Sequence, residues 1–345
     1  MYMYTQGHSR IVSSGTHLPD ARITAREMLE QIDAPNRFGV SLDWLERVSG
    51  IHEKRVAPTD MLPSDMAVLA AREAMERAKL LPQSIDAIIY TGATRDYSVE
   101  PSTAHIVQAK LKATNAVAFD VSNACHGFMN GIHLMDALIA SGQVRRGLVV
   151  TGEQGSRFTR KAIEALCATH DRSELARLAA GLTLGDAGAA LVMGPKLGPD
   201  SGFMGFMLQS QGQYAKFCTS GGVLQEGPVI TDMPAIVGQS AKLVTAMFQE
   251  FMHQRLRWKI EDLSKYVIHQ VGTKVFKLHS ELMGIPMHII PNTVHTLGNL
   301  ITANIPLCLH NFSSNQDVKS GDKIYCSGAG SGISISQVGL IWDTA

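Results

Sequence analysis

The sequence predicts an α/β fold with covered sheets, arranged as two related halves spanning residues 1–195 and 196–345. Three observations carry this expectation. Short apolar runs rich in β-formers alternate with stretches of helical period, the apolar runs end in glycines, and the same order of elements returns after about residue 200. The return is in element order and not in residue identity.

In the first half, "AIIYTGA" (Ala87 to Ala93), "AVAFDVSNA" (Ala116 to Ala124), "RGLVVTGE" (Arg146 to Glu153) and "GAALVMG" (Gly188 to Gly194) have the length and flanks of strands. Their near-continuous apolar character suits strands covered on both faces. Between them, "DMAVLAAREAMERAKLL" sets Val68, Ala71, Met75 and Ala78 on one helical face. In the second half, "SAKLVTAMFQEFMHQRL" has helical period, "KYVIHQVG" reads as a strand, a helix follows, and "DKIYCSGAGSG" is a late strand closing in glycines. "GDAGAA" (Gly185 to Ala190) lacks the Lys-Ser/Thr of a phosphate loop and is expected to be a tight turn before a buried strand. "EALCATHDRSELARL" reads as a surface helix or a cap over a substrate tunnel, and the Met-rich run from Met204 to Met252 as core or tunnel lining.

The 345 residues suffice for a sizeable core, and 31 basic against 31 acidic side chains leave no electrostatic footprint for nucleic acid or anionic lipid. Neither a leader-like N-terminus nor an apolar run of membrane-spanning length is present, so a cytoplasmic protein without membrane insertion is expected. Five dispersed cysteines with no C-x-x-C pair suit reduced thiols, with neither disulfide framework nor metal site expected.

One of these cysteines stands apart. Cys125 lies between the strand ending near Val121 and an apolar helix in which Phe128 or Met129, Ile132, Met135 and Ile139 recur at helical spacing. Near a helix N-terminus, unpaired N–H groups and the helix dipole favour thiolate. A lone cysteine is more often a small buried hydrophobe, but Gly127 just after it permits close backbone approach. His269, in "YVIHQVGTKVF", and Asn299, in "NTVHTLGNLITANIPLCLH", are glycine-punctuated in the same way and could converge on the thiol.

Together these motifs resemble the thiolase superfamily and, within it, the ketoacyl synthase III type of condensing enzyme. The resemblance rests on "DVSNACHGF", "HQVG", "GNLITANIP", "GDAGAA" and "SGAGSG", which occur in the family's order, with 144 residues from Cys125 to His269 and 30 from His269 to Asn299. It implies a five-layer αβαβα fold from two duplicated halves, a homodimer, and acyl-CoA or acyl carrier protein as partners, with CoA or phosphopantetheine thioesters as substrates and no tightly bound cofactor. It further implies that Cys125 carries the acyl group, that the backbone N–H groups of Cys125, Gly330 and Ser331 hold the tetrahedral oxyanion, and that His269 and Asn299 hold the enolate oxygen.

Within the superfamily, "VEPSTAHIV" resembles the head-to-head acyl-CoA condensing enzymes of olefin biosynthesis. In them a glutamate in an E-P-S context, here Glu100, acts as base across the dimer. By base rate a glutamate is a solvated loop carboxylate, and decarboxylative extension with malonyl-carrier protein, acyl transfer to an O or N nucleophile, or a role as subunit of a heterodimeric synthase all stay open. Trp44 matches the family's nucleotide-stacking tryptophan, but the arginine expected four residues later is Val48, with Arg47 one place early. Gly272 and Ala329 replace the usual amide and aromatic side chains, and Lys274 is the candidate for meeting a carrier's phosphate or acidic helix.

Overall fold

The computed structural model describes residues 2–220 and 227–343, so the Met-rich run crosses a segment outside the described residues. Two five-stranded sheets organise the chain. The first has the spatial order Ser9–His17, Asp186–Pro195, Gly147–Gln154, Ala87–Tyr90, Val117–Asp120, and the second Met3–Gln6, Gly202–Ser210, Ser334–Ile341, Lys323–Gly330, Leu263–Ile268. In each sheet a four-strand block repeats: two antiparallel pairings and then a parallel one. The N-terminal strand Met3–Gln6 pairs with Gly202–Ser210 and so joins the second sheet.

Strand alternation decides what each face covers. Ile88 and Tyr90 point outward against Ala67, Ala70, Ala71 and Ala74 of the helix Pro63–Arg77, whereas Ala87 and Ile89 point inward. In the second sheet Tyr325 points outward against Val244, Met247 and Phe248 of the helix Met233–Phe248, while Ile324 and Cys326 point inward. Between the sheets lie the helices Gly127–Ala140 and Asn304–Ser314, which contribute Phe128, Met129, Ile132, Met135, Leu309 and Phe312 to the central core. The result is helix, sheet, helix, sheet, helix. Burying each of these large apolar side chains supplies at most roughly 1.5–3 kcal/mol, and a helix with no Lys or Arg has no other face to offer water.

The anticipated elements are present with boundaries shifted by a few residues. The helix expected from Ser240 begins at Met233, where Asp232 caps it, and beyond Phe248 it continues as a π-helical turn through Arg255. "GDAGAA", expected as a tight turn before a buried strand, is instead the start of that strand, Asp186–Pro195, since Asp186 to Ala190 already pair with Gln154 to Val150. "EALCATHDRSELARL" forms parts of two helices, Ser156–Cys167 and Arg172–Leu182, whose Leu166, Leu175 and Leu178 share an apolar cluster with Met28, Leu29, Phe38 and Leu45. Among the described residues no helix is long and apolar enough to cross a membrane.

Candidate active site

Cys125 stands at the end of the first sheet, two residues before the helix Gly127–Ala140, on a turn where Ala124 adopts a left-handed φ of 45°. Such a conformation is uncommon without glycine and presents the next side chain sharply. Gly127 fits the close approach expected of it, since a Cβ there would lie 2.5 Å from the carbonyl oxygen of Thr91.

His269 follows the strand Leu263–Ile268 directly, its N–H donating to Ser327 O at 3.2 Å. Its neighbour Gln270 is fully buried and acts as a bracket: Oε1 accepts from Thr293 N, Thr293 Oγ1 and Val294 N, each at 3.0 Å, while Nε2 donates to Pro291 O at 2.9 Å. The glutamine of "HQVG" therefore ties the histidine strand to the segment leading to Asn299.

Asn299 is held by its backbone, its N–H donating to Thr183 O at 2.9 Å and its carbonyl accepting from Gly185 N at 3.0 Å. Gly298 (φ +71°) precedes it in a left-handed turn, where a Cβ would press to 2.6 Å from Thr183 O. Oδ1 of Asn299 accepts from Ile301 N at 2.9 Å, which leaves the amide N–H₂ as the group it offers to a ligand.

Cys125, His269 and Asn299 line one cavity of about 370 Å³, and the remaining wall is mostly apolar. Ala93, Phe158, Leu184 and Ile301 form one side, and a stripe on the helix Met233–Phe248 (Met233, Ile236, Val237, Ser240, Ala241 and Val244) forms another. Gly330 and Ser331 of the C-terminal glycine loop also face it. Phe158 and Ala180, which flank "EALCATHDRSELARL" on the helices Ser156–Cys167 and Arg172–Leu182, line the cavity, while no residue of that segment itself does.

The electrostatics differ from the expectation of a resting thiolate. Cys125 is open only toward the cavity, and burial, then Cys218 and Glu153 nearby, push its thiol up to about 12. Loss of solvation outweighs the helix terminus. Burial and the neighbouring His126 push His269 down to about 4, so the resting pair is a thiol and a neutral imidazole. A neutral imidazole carries one N–H and can donate it to an oxygen without adding charge.

The other expected residues lie elsewhere. Glu100 is exposed, on a loop where Tyr97 and Val99 also face solvent, and it does not line the cavity within one chain. Trp44 packs against the cluster of Leu45, Leu166 and Leu178, while Arg47 is exposed near Asp43 at 3.6 Å and Lys274 is exposed at the start of its helix. None of the three lines the cavity. The helix Trp44–Ser49, which carries Trp44 and Arg47, nevertheless abuts the segment before Lys274, Thr273 N donating to Ser49 O at 2.9 Å, beside the cavity-lining Val271 and Val275.

Two polar groups behind the site carried no sequence motif. Lys54 is buried and donates to Leu182 O and Leu184 O at 2.8 Å and to Thr159 Oγ1 at 2.5 Å, fixing the turn that holds Asn299. Burial pulls its ammonium down to about 7, offset in part by Asp186. Glu153, wholly buried at the end of the strand Gly147–Gln154, is the other. A periodicity reading sees both only as polar interruptions in apolar surroundings.

The chain matches the family model for 3-oxoacyl-[acyl-carrier-protein] synthase III over residues 119–212 and the model for that family's C-terminal part over 253–342. It is 32% identical over 325 residues to the acyl-CoA:acyl-CoA alkyltransferase of Xanthomonas campestris pv. campestris, with 93% of this chain and 94% of that one covered. The chain belongs to the 3-oxoacyl-[acyl-carrier-protein] synthase III family. Another member of the family, the β-ketoacyl-[acyl-carrier-protein] synthase III of Wolbachia pipientis wMel, is 30% identical over 334 residues, 96% of this chain and 98% of that one. Among solved structures, cerulenin-bound OleA of X. campestris superposes with a TM-score of 0.90 at 30% identity, covering 99% of this chain and 98% of that one. A variant of OleA with one glutamate replaced by alanine gives 0.91 at 30% identity, covering 97% and 98%. The family's thiolase-like fold is thus that of this chain, and its members are condensing acyltransferases.

Proposed function

We propose that the protein joins two acyl-CoA molecules in a non-decarboxylative Claisen condensation, through an acyl group held on Cys125. The observation that carries this reading is the convergence of Cys125, His269 and Asn299 on one largely apolar cavity, in a chain 32% identical to an acyl-CoA:acyl-CoA alkyltransferase.

In the first half-reaction Cys125 Sγ attacks the thioester carbonyl. The C–S bond to CoA breaks, and CoA leaves with the proton surrendered by the thiol. The backbone N–H groups of Cys125 and of the Gly330–Ser331 loop are the donors for the tetrahedral oxyanion, each worth roughly 3 kcal/mol. In the second half-reaction a base removes the α-proton of the next acyl-CoA, and the enolate oxygen accepts from His269 and from the Asn299 amide. The α-carbon attacks the acyl-Cys carbonyl, and collapse expels the Cys125 thiolate and releases a β-ketoacyl-CoA.

Glu100 of a partner protomer is the base in this scheme. What supports a homodimer is the surface around that loop: Tyr97 and Val99 are exposed, and Val117, 67% exposed, lies on the edge strand Val117–Asp120, which pairs on one side only among the described residues. Trp44, Arg47 and Lys274 would then meet the CoA end of the substrate at the rim near Val271. The Wolbachia relative supports a second reading, decarboxylative extension of an acyl-CoA primer with malonyl-carrier protein.

Incubation of the purified protein with acyl-CoA alone separates the two. The expected outcome is a mass gain on Cys125 and a condensed product, both lost in Cys125→Ala, with only the product lost in Glu100→Gln. Mixing the Cys125→Ala and Glu100→Gln proteins should restore part of the activity through mixed dimers. Carbon dioxide release that depends on malonyl-carrier protein would support the second reading instead, and no acylation of Cys125 by any donor would sink both.

A further inference from the structure

Behind the cavity, Glu153 joins three segments that the condensation has to keep in register. Its Oε1 accepts from Ala93 N at 2.8 Å, from Thr302 N at 3.4 Å and from the Thr302 hydroxyl, and its Oε2 accepts from Thr94 N at 3.0 Å and Thr94 Oγ1 at 2.9 Å. Three of these donors are backbone N–H groups, which cannot reverse their role, so both oxygens are committed as acceptors. Glu153 is therefore no candidate for removing an α-proton, although it is buried close enough to Cys125 for its charge to be felt there.

The segments it joins are specific. Ala93 lines the cavity and, with Thr94, lies near the start of the loop between Tyr90 and Thr103 that carries Glu100. Thr302 lies three residues after Asn299 and directly follows Ile301, which also lines the cavity and has a φ of 56°. A β-branched residue in the left-handed region is a true outlier and persists only where its surroundings over-determine it. Here they do so from both sides. Asn299 Oδ1 holds Ile301 N, and Glu153 holds both donors of Thr302, whose hydroxyl also bonds Thr151 Oγ1 at 2.6 Å.

Resting on the condensing reading above, we infer that Glu153 is a positioning residue for the second half-reaction: a clamp that fixes the Asn299–Ile301 turn and the root of the Glu100 loop in one geometry. The clamp has an electrostatic consequence, because an anion behind the nucleophile disfavours thiolate. Its two effects on the two half-reactions therefore have opposite signs. The fold keeps Cys125 less reactive than it could be and gains a fixed enolate site.

The test measures the reactivity of the Cys125 thiol and the formation of condensed product separately in Glu153→Gln, Glu153→Asp and Thr302→Val. Alkylation of Cys125 by iodoacetamide is followed on its own peptide by mass spectrometry, and condensed product is followed by chromatography under saturating acyl-CoA. Glu153→Gln, which removes the charge, should speed alkylation about threefold or more while lowering kcat for condensation at least about tenfold. Thr302→Val, which removes one arm and keeps the charge, should leave alkylation within about twofold and lower condensation alone. Glu153→Asp, with the charge but not the reach, should follow Thr302→Val. Thermal melting accompanies each variant, and Thr302→Val carries the test if the Glu153 variants do not fold. Wild-type condensation in folded variants, or equal losses in alkylation and condensation, would overturn the clamp. Absence of condensed product from the unaltered protein would instead remove the condensing reading on which it rests.

Discussion

Replacing Gly330 by alanine perturbs the oxyanion loop by a known amount. A Cβ at this position would lie 2.8 Å from His126 Cβ and 2.9 Å from His126 N, where ordinary carbon contacts begin near 3.5 Å. Neither neighbour is the free end of a flexible side chain, so relief requires the strand end Lys323–Gly330 and the Cys125 turn to separate by roughly 0.6–0.7 Å. These are the two segments whose N–H groups would hold the oxyanion, and a displacement of about 1 Å in such a site costs about 100-fold in rate, or about 2.7 kcal/mol. Overpacking adds a stability loss of about 1–3 kcal/mol. Under the proposed mechanism one oxyanion site would serve both half-reactions, so Cys125 loading and product formation should fall together, by up to about 100-fold, read by mass spectrometry and chromatography. Gly238→Ala is the control. That glycine is exposed on the helix Met233–Phe248 with open space around its Cβ position, so alanine should add about 0.5–1 kcal/mol of stability and leave activity intact. A folded Gly330→Ala protein that loads and condenses at normal rates would refute this assignment of the oxyanion loop.

Acid should destabilise the fold through its buried histidines. Burial depresses His126, His269 and His279 from 6.5 to about 4, so between those values the unfolded chain binds more protons; the stability is complete above about 6.5 and is lost as pH falls towards 4. At pH 5 the loss is about 2 kcal/mol per histidine, and denaturation curves at pH 7 and pH 5 for the protein and His279→Phe isolate one of them from Glu153 and Asp186, whose raised carboxyls act with the opposite sign. Identical pH dependence in the two proteins would contradict this. Val244→Phe, which fills the stripe lining the cavity, should lower turnover of long acyl-CoAs more than short ones, and a uniform loss across a chain-length series would argue against an acyl channel there. Lys54→Met leaves the carbonyl of Leu182 without its donor and Leu184 O with only Thr159 Oγ1 at 3.4 Å, and should cost about 1–3 kcal/mol, seen as a lower melting temperature; unchanged melting would show that the turn holding Asn299 does not depend on Lys54.

Local patterning in the sequence was enough to place the most apolar strands and the buried helices, but not the strands Ser9–His17, Gly202–Ser210 or Ser334–Ile341, nor Asp136, which is buried on the helix Gly127–Ala140 because Ser9 and His8 N donate to it. The same patterning marked Cys125 and Asn299, near glycines that the backbone requires, Gly127 against Thr91 and Gly298 in a left-handed turn, and His269 through "HQVG", whose Gly272 packs against Ser49 O. Other properties depend on atoms far apart in the chain. The thiol state of Cys125 could not follow from its place before a helix, because the depth of burial and the nearness of Glu153 and Cys218 outweigh the dipole. Gln270, Lys54 and Glu153 do their work through partners 21 to 149 residues away, and no local pattern records such a pairing. For Glu100 the E-P-S wording gives a motif, and the fold gives an exposed loop beside an edge strand. The sequence determined which groups could react; packing decided which of them meet and in what state of protonation, because distance and solvation are set only once the two sheets close over the helices between them.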